Sequence, residues 1–234
     1  MSLLLWRMGE ATMKTLARVL TLSLVALAGH AAHAAEPTPN GLYIDVGPAG
    51  ILLDTNASIN VAGSPLPHSN AHASNNVTPG LGVGYFIRPD ISVSAWIGAP
   101  PTTTLTGQGS LSGLTLGKVT YGPSILVANY HFRQFGAFQP FLGAGISYTI
   151  VFGTHDDAII NLRVNNAVGA AIRAGFDIML SDRWGVSFSA NKVFLGTNLS
   201  GNVNPAIPEL GSAPVSAHVT VNPLVLFSGV TFRF

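Results

Sequence analysis

Apolar residues recur at every second position along most of this chain, and glycine, serine and a few charges fill the places between. Leu42, Ile44 and Val46 alternate with Tyr43, Asp45 and Gly47, and Leu81, Val83, Tyr85 and Ile87 with Gly82, Gly84 and Phe86. Ile91, Val93, Ala95 and Ile97 oppose Ser92, Ser94, Trp96 and Gly98. Further runs follow at 126–132, 142–150, 170–178, 184–191 and 224–234. A period of two puts the alternate side chains of a strand on opposite faces. The face that should be a soluble core, facing Gly, Ser, Arg and Asp, is the less apolar one. A β-sandwich alternates too, but it buries its apolar face. Here the apolar face is the one left to point outward.

An outward apolar surface calls for lipid. Charged residues make up 9% of the 234 positions, against roughly 25% in soluble domains. In a bilayer only helices and closed barrels satisfy every backbone polar group. The charge-free stretch at 92–117 is studded with Thr, Gly, Ser and Pro, and the one at 134–154 holds Gly136, Pro140, Gly143, Gly145 and Gly153. Neither suits a spanning helix. The expected fold is all-β: an eight-stranded antiparallel transmembrane β-barrel. Short connections at 88–90, 133–138 and 181–183 alternate with long ones at about 54–76, 99–119, 153–166 and 195–217. That asymmetry marks short periplasmic turns and long extracellular loops.

The chain ends are consistent with this. From Met13 the sequence reads MKTLARVLTLSLVALAGHAAHAAEPT. Lys14 and Arg18 supply a basic start, residues 19–29 an apolar stretch, and Ala32-His33-Ala34 a cleavage site. Those are the parts of a secretory signal peptide, and the apolar stretch is shorter than the ~20 residues of a spanning helix. Residues 1–34 are therefore expected to be a signal read by the Sec route, with Met13 a second candidate start, and 35–234 the barrel. The closing Val230-Thr231-Phe232-Arg233-Phe234 alternates and finishes on Phe234. It resembles the β-signal by which the outer-membrane assembly machinery recognises its clients, which makes that machinery and the lipids of a Gram-negative outer membrane the expected partners.

Several function classes lack their residues. A net charge of +1 with no Lys/Arg cluster leaves nothing to neutralise phosphates, so no nucleic-acid partner is expected. Cysteine is absent, which removes disulfides, thiolate metal sites and thiol nucleophiles. His68 and His72 lie four apart in a segment broken by Pro65 and Pro67, so helical metal-ligand spacing does not apply. His155 beside Asp156 and Asp157 reads as a solvated loop, and His131 as a packed or interfacial histidine. With Glu36 and Glu209 the only glutamates after the signal, no base, nucleophile and carboxylate converge. No metal, cofactor or catalytic residue is assigned, and no enzyme is expected.

The stretch LGKVTYGPSILVANYHF at 116–132, followed by FQPFLGAGISYTIVF at 138–152, resembles the central hairpin of the OmpW family. The Gly84-Tyr85-Phe86-Ile87 turn into Ile91 and the Asn222-Pro223 entry to the last strand fit as well. The YGP-S-IL and IGAPP elements lean toward the AlkL-like branch. Asn222 stands where the family often has Asp. The resemblance implies a narrow barrel with an apolar lumen that admits small hydrophobic compounds across the outer membrane. Eight strands allow either a filled interior or room for one small ligand. The lumen-lining candidates are Phe86, Trp96, Val127, Thr149 and Val151. Asp45, Arg173, Asp177 and Arg233 also fall on the inner face, where buried charges must pair, and are the candidates for an ion network plugging the periplasmic end. A plug would send a solute sideways. Pro123, which lacks the N–H a ladder needs, is the candidate lateral seam. The competing expectation is a structural or adhesion barrel acting through Thr-, Ser-, Asn- and Gly-rich extracellular loops.

Overall fold

The computed structural model describes residues 41–206 and 212–234; the expected signal peptide and Glu209 lie outside the described residues. β1 (Gly41–Leu52) is followed by three short strands, β2 (Thr55–Val61), β3 (Ser64–Pro65) and β4 (Ser69–Ala73). β5 (Asn76–Arg88) and β6 (Ile91–Gly98) form a hairpin, and β7 (Thr102–Gly109) leads into β8 (Thr115–His131). β9 (Phe138–Asp156), β10 (Ile159–Val164) and β11 (Ala167–Met179) come next. β12 (Trp184–Val203), β13 (Pro214–Val221) and β14 (Leu224–Arg233) complete the chain. Among the described residues no helix is long and apolar enough to cross a membrane.

Eight strands close a ring in the order β1, β5, β6, β8, β9, β11, β12, β14 and back to β1. All neighbours are antiparallel, and closure runs from Tyr43↔Arg233 to Leu52↔Leu224. Closure leaves no unpaired edge, the condition a sheet must meet in lipid. The alternation sets the wall: Val46, Val83, Ile97, Leu142, Ile146 and Ile172 are exposed outward, while Asp45, Trp96, Phe141, Ser147, Ala171 and Arg173 beside them are buried. Tyr85, Tyr130, Phe138, Trp184 and Phe234 are exposed near the short-turn end, and Tyr148, Phe152 and Phe194 at the other. These are the two aromatic girdles that flank a lipid-facing band.

Two inner glycines explain how large rings fit inside. Gly82 lies opposite Trp96 and Gly84 opposite Tyr43 across neighbouring strands. A methyl at Gly82 would stand 2.7 Å from the indole, and one at Gly84 would overlap the Tyr43 ring. Each aromatic thus lies down on a bare stretch of its neighbour's backbone.

The segments expected as long loops are largely strands, and this corrects the sequence reading. β2, β3, β4, β7, β10 and β13, with the upper parts of β8, β9 and β12, extend the wall well past the girdle. The alternation inverts there. Along β12, Ser187, Ser189 and Asn191 face inward in the membrane zone, and Val193, Leu199 and Val203 face inward above it. Outside the bilayer the polar face meets water and the apolar face needs a core. Ala57, Ile59, Leu111, Leu116, Leu199 and Val215 belong to the one they share. The outward Thr, Ser and Asn residues that suggested loop are the water-facing half of strands.

Candidate functional site, an apolar lumen above a polar floor

The interior is apolar above and polar below. At the extracellular end a pocket of about 50 Å³ opens inside the shared core, among Leu111, Leu116, Ile159 and Leu199. It shares Thr55, Ala73, Leu105, Leu199 and Val219 with a larger cavity of about 110 Å³ inside the upper barrel. Ile51, Tyr121, Thr149, Val151, Leu195 and Val225 line that cavity. A packed layer closes it from below: Trp96, Val127, Ala171, Val193 and Phe227 form one buried cluster, with Trp96 set edge-on against Phe227 at 4.7 Å. A side chamber of about 40 Å³ runs along this floor between Trp96, Phe227 and Asn191, out to Gly98 and Pro123 in the wall.

The zone beneath is polar, with Asp45, Asn129, Gln139, Arg173, Asp177 and Arg233 all buried. Arg173 stacks over Trp96 at 4.0 Å and over Phe141 at 4.8 Å, and donates to Ser94 Oγ and Ser189 Oγ at 3.3 and 3.4 Å. Tyr43, Ser92, Asn129 and His131 form a hydrogen-bonded group, with Ser92 Oγ 2.9 Å from His131 Nε2 and 3.1 Å from Tyr43 Oη. Lowest, Arg233 pairs with Asp177 at 3.2 Å and donates to Gln139 Oε1 at 2.9 Å. Arg233 and Arg133 lie 5.1 and 4.8 Å from the Phe86 ring centroid. Burial, with Arg233 close by, draws the Arg133 guanidinium in the periplasmic turn down to about 10, still charged at neutral pH.

The residues named from sequence fall on different storeys. Thr149 and Val151 line the cavity, Trp96 and Val127 belong to its floor, and Phe86 lies below the floor between guanidinium groups. Of the four inner charges, Asp177 and Arg233 are brought together. Asp45 is buried beside Thr231, and its Oδ1 has no hydrogen-bond partner among the described residues. Arg173 is held by aromatic faces and serines. Gln139, Asn129 and Asn191 were not singled out in the sequence, although each occupies an inward position of the alternation, which was the available signal. Ile51, Tyr121, Leu195 and Val225 were missed because they fall at or beyond the ends of the runs.

Pro123 sits beside a break in the pairing of the wall. β6 pairs with β8 up to Ile97↔Ser124, and β7 takes over from Thr102↔Thr120. Between these, four residues on one side, 98–101, face three on the other, 121–123, so the register slips by one. Pro100, Pro101 and Pro123 have no N–H to give. Tyr121 N–H bonds to Pro101 O at 3.1 Å, while Ala99 N–H turns the other way to Pro79 O. On its other flank β8 bulges against β9, where Thr120↔Gly153 is followed by Tyr121↔Val151.

The model of the OmpW family matches residues 41–234. The chain is 34% identical over 189 residues, 81% of its length and 86% of the relative's, to the dibenzothiophene metabolism operon protein PahQ of Pseudomonas aeruginosa. It is 27% identical to the outer membrane protein AlkL of Ectopseudomonas oleovorans, across 75% of this chain and 74% of that one. The crystal structure of OprG from Pseudomonas aeruginosa superposes with a TM-score of 0.77 at 23% identity, covering 86% of this chain and 98% of that one. The fold, the closed ring and the full-length match agree: the chain belongs to the OmpW family, as an eight-stranded β-barrel of the Gram-negative outer membrane.

Proposed function

We propose that this barrel admits small hydrophobic compounds passively across the outer membrane and releases them sideways into the bilayer near Pro123. The observation that carries this reading is the lumen itself: apolar from the extracellular core to the Trp96–Phe227 floor, then closed by a charged and hydrogen-bonded plug. An apolar solute loses nothing on entering such a column, but crossing the plug would bring it against Arg173, Asp177 and Arg233 with no polar atoms to replace their contacts. The side chamber leads instead to Pro123, where the pairing of β6 with β8 stops at Ile97↔Ser124 and β7 takes over only at Thr102↔Thr120. The names of AlkL and of the dibenzothiophene-operon relative support an apolar, carbon-rich solute. Phe232 on the last strand and Phe234 just after it are the proposed handle for the assembly machinery, and the outward girdles the contact with lipid.

Catalysis is not part of this proposal. Ser92 and His131 have the spacing of a nucleophile and its base, yet Ser92 is 0% exposed and His131 Nδ1 has no partner among the described residues. That serine lines neither the cavity nor its side chamber, and among the described residues no carboxylate orients that imidazole.

The seam is tested by Pro123→Val, which restores an N–H to β8. Intact cells carrying the variant should take up toluene several times more slowly than cells carrying the parent, at equal amounts of folded barrel. Unchanged uptake would remove Pro123 from the route.

A further inference from the structure

The floor of the side chamber holds one polar group that its surroundings do not satisfy. Asn191 is 2% exposed and lines the chamber with Trp96, Phe227, Val225, Ile125 and Pro123. Its Nδ2 reaches Val225 O only at 3.5 Å, and its Oδ1 has no hydrogen-bond partner among the described residues. Turning the amide over would leave the carbonyl of Val225 facing an oxygen, so the acceptor stays free in either orientation. Buried amide oxygens are ordinarily paired, and each exception needs an account. Apart from Thr78, in the wall, the chamber's lining is otherwise aliphatic, aromatic or glycine. On β12 it is also the last of three inward polar residues, after Ser187 and Ser189, before the inner face turns to Val193 and Leu195.

We infer that Asn191 is a specificity residue that receives the hydroxyl of an amphiphilic solute, so that this barrel favours hydrophobes carrying one hydrogen-bond donor, such as phenols, over the bare hydrocarbon. The inference rests on the channel reading and narrows its solute class. The ring or chain lies against Ile51, Pro123, Ile125 and Val225, which line both the apolar cavity and the side chamber, while the O–H donates to Asn191 Oδ1. A cavity of ~150 Å³ holds one benzene ring, the same order as the about 110 Å³ cavity with its side chamber. A site that offers a buried acceptor discriminates against a ligand that leaves it unpaired. Pro123 lines the same chamber, so the hydroxyl would be held beside the exit.

The test compares p-cresol with toluene, two rings of one size that differ in a single hydroxyl. Initial uptake of each labelled compound is measured in intact cells carrying the native barrel, Asn191→Leu, Asn191→Asp or no barrel, and the last rate is subtracted. Folded barrel is quantified in each strain by its heat-modifiable gel mobility. Asn191→Leu should lower the cresol-to-toluene ratio about fivefold, the size of one net hydrogen bond, with toluene uptake kept. Asn191→Asp, which keeps an acceptor oxygen opposite Arg173, should hold the ratio near the native value. If the barrel carries toluene and both variants keep the native ratio, or both lose it alike, Asn191 does not select and the inference falls alone. If neither compound enters faster with the native barrel, the channel reading falls and takes the inference with it.

Discussion

Asp177 and Arg233 meet inside a barrel whose outer surface is hydrocarbon, where an unpaired charge has no water to retreat to. Removing one partner of such a pair costs about 3–5 kcal/mol. Asp177→Ala should therefore lower the urea midpoint of the barrel in lipid vesicles by that order, because Arg233 keeps Gln139 but loses its counter-charge. Replacing both residues with Leu and Met should recover much of the loss; an Asp177→Ala barrel as stable as the parent would show that the pair holds nothing together. Gly84 makes a second point at this scale. An added methyl would strike the Tyr43 ring, and that ring cannot swing away without giving up Ser92. Gly84→Ala should cost about 1–3 kcal/mol, the usual penalty of overpacking, read from the same urea titration, and no shift would mean the ring repacks freely. The inward positions of all these residues were legible in the alternation. Which charge would pair with which was not, since the phase of a strand fixes a face but not the height at which a side chain on another strand meets it. Arg173 shows the gap: it answers to Trp96, Phe141 and two serines, a set drawn from three other strands.

Among the elements, the eight membrane runs and their short turns could be read from sequence because lipid outside and polar groups inside produce one repeating contrast. The extracellular strands could not, because above the bilayer the same wall faces water and the contrast changes sign. There an inward Leu116 or Leu199 counts toward a core, and an outward Asn198 or Ser200 is ordinary strand surface. Leu116→Asp tests that extension as an element. A carboxylate among Leu111, Ile159 and Leu162 has no partner to meet, so the extracellular strands should become sensitive to added protease in intact cells while the membrane ring stays folded. Protease resistance equal to the parent would mean the extension does not depend on that core. The β6–β8 junction belongs to this scale as well. Proline at 100, 101 and 123 was visible in the sequence, but the register slip that concentrates their effect arises from a strand, β7, that the sequence reading placed in a loop.

At the scale of the whole molecule, the structure is a short apolar well set into a lipid wall, with charged and hydrogen-bonded side chains beneath it on the periplasmic side. A pore for ions would need polar groups along its length; here they are stacked at one end. An anchor with no passage would have no reason to leave a cavity of about 110 Å³ in the upper barrel while filling the lower half with charged and polar side chains. The central claim is that an apolar solute gains entry through this well, and it is met most directly in whole cells. The rate at which a fixed amount of an intracellular oxygenase oxidises a medium-chain alkane is measured with and without the barrel, in intact cells and in cells whose outer membrane has been permeabilised. The account predicts faster oxidation with the barrel in intact cells and equal rates once the membrane barrier is removed. Equal rates in intact cells would contradict it.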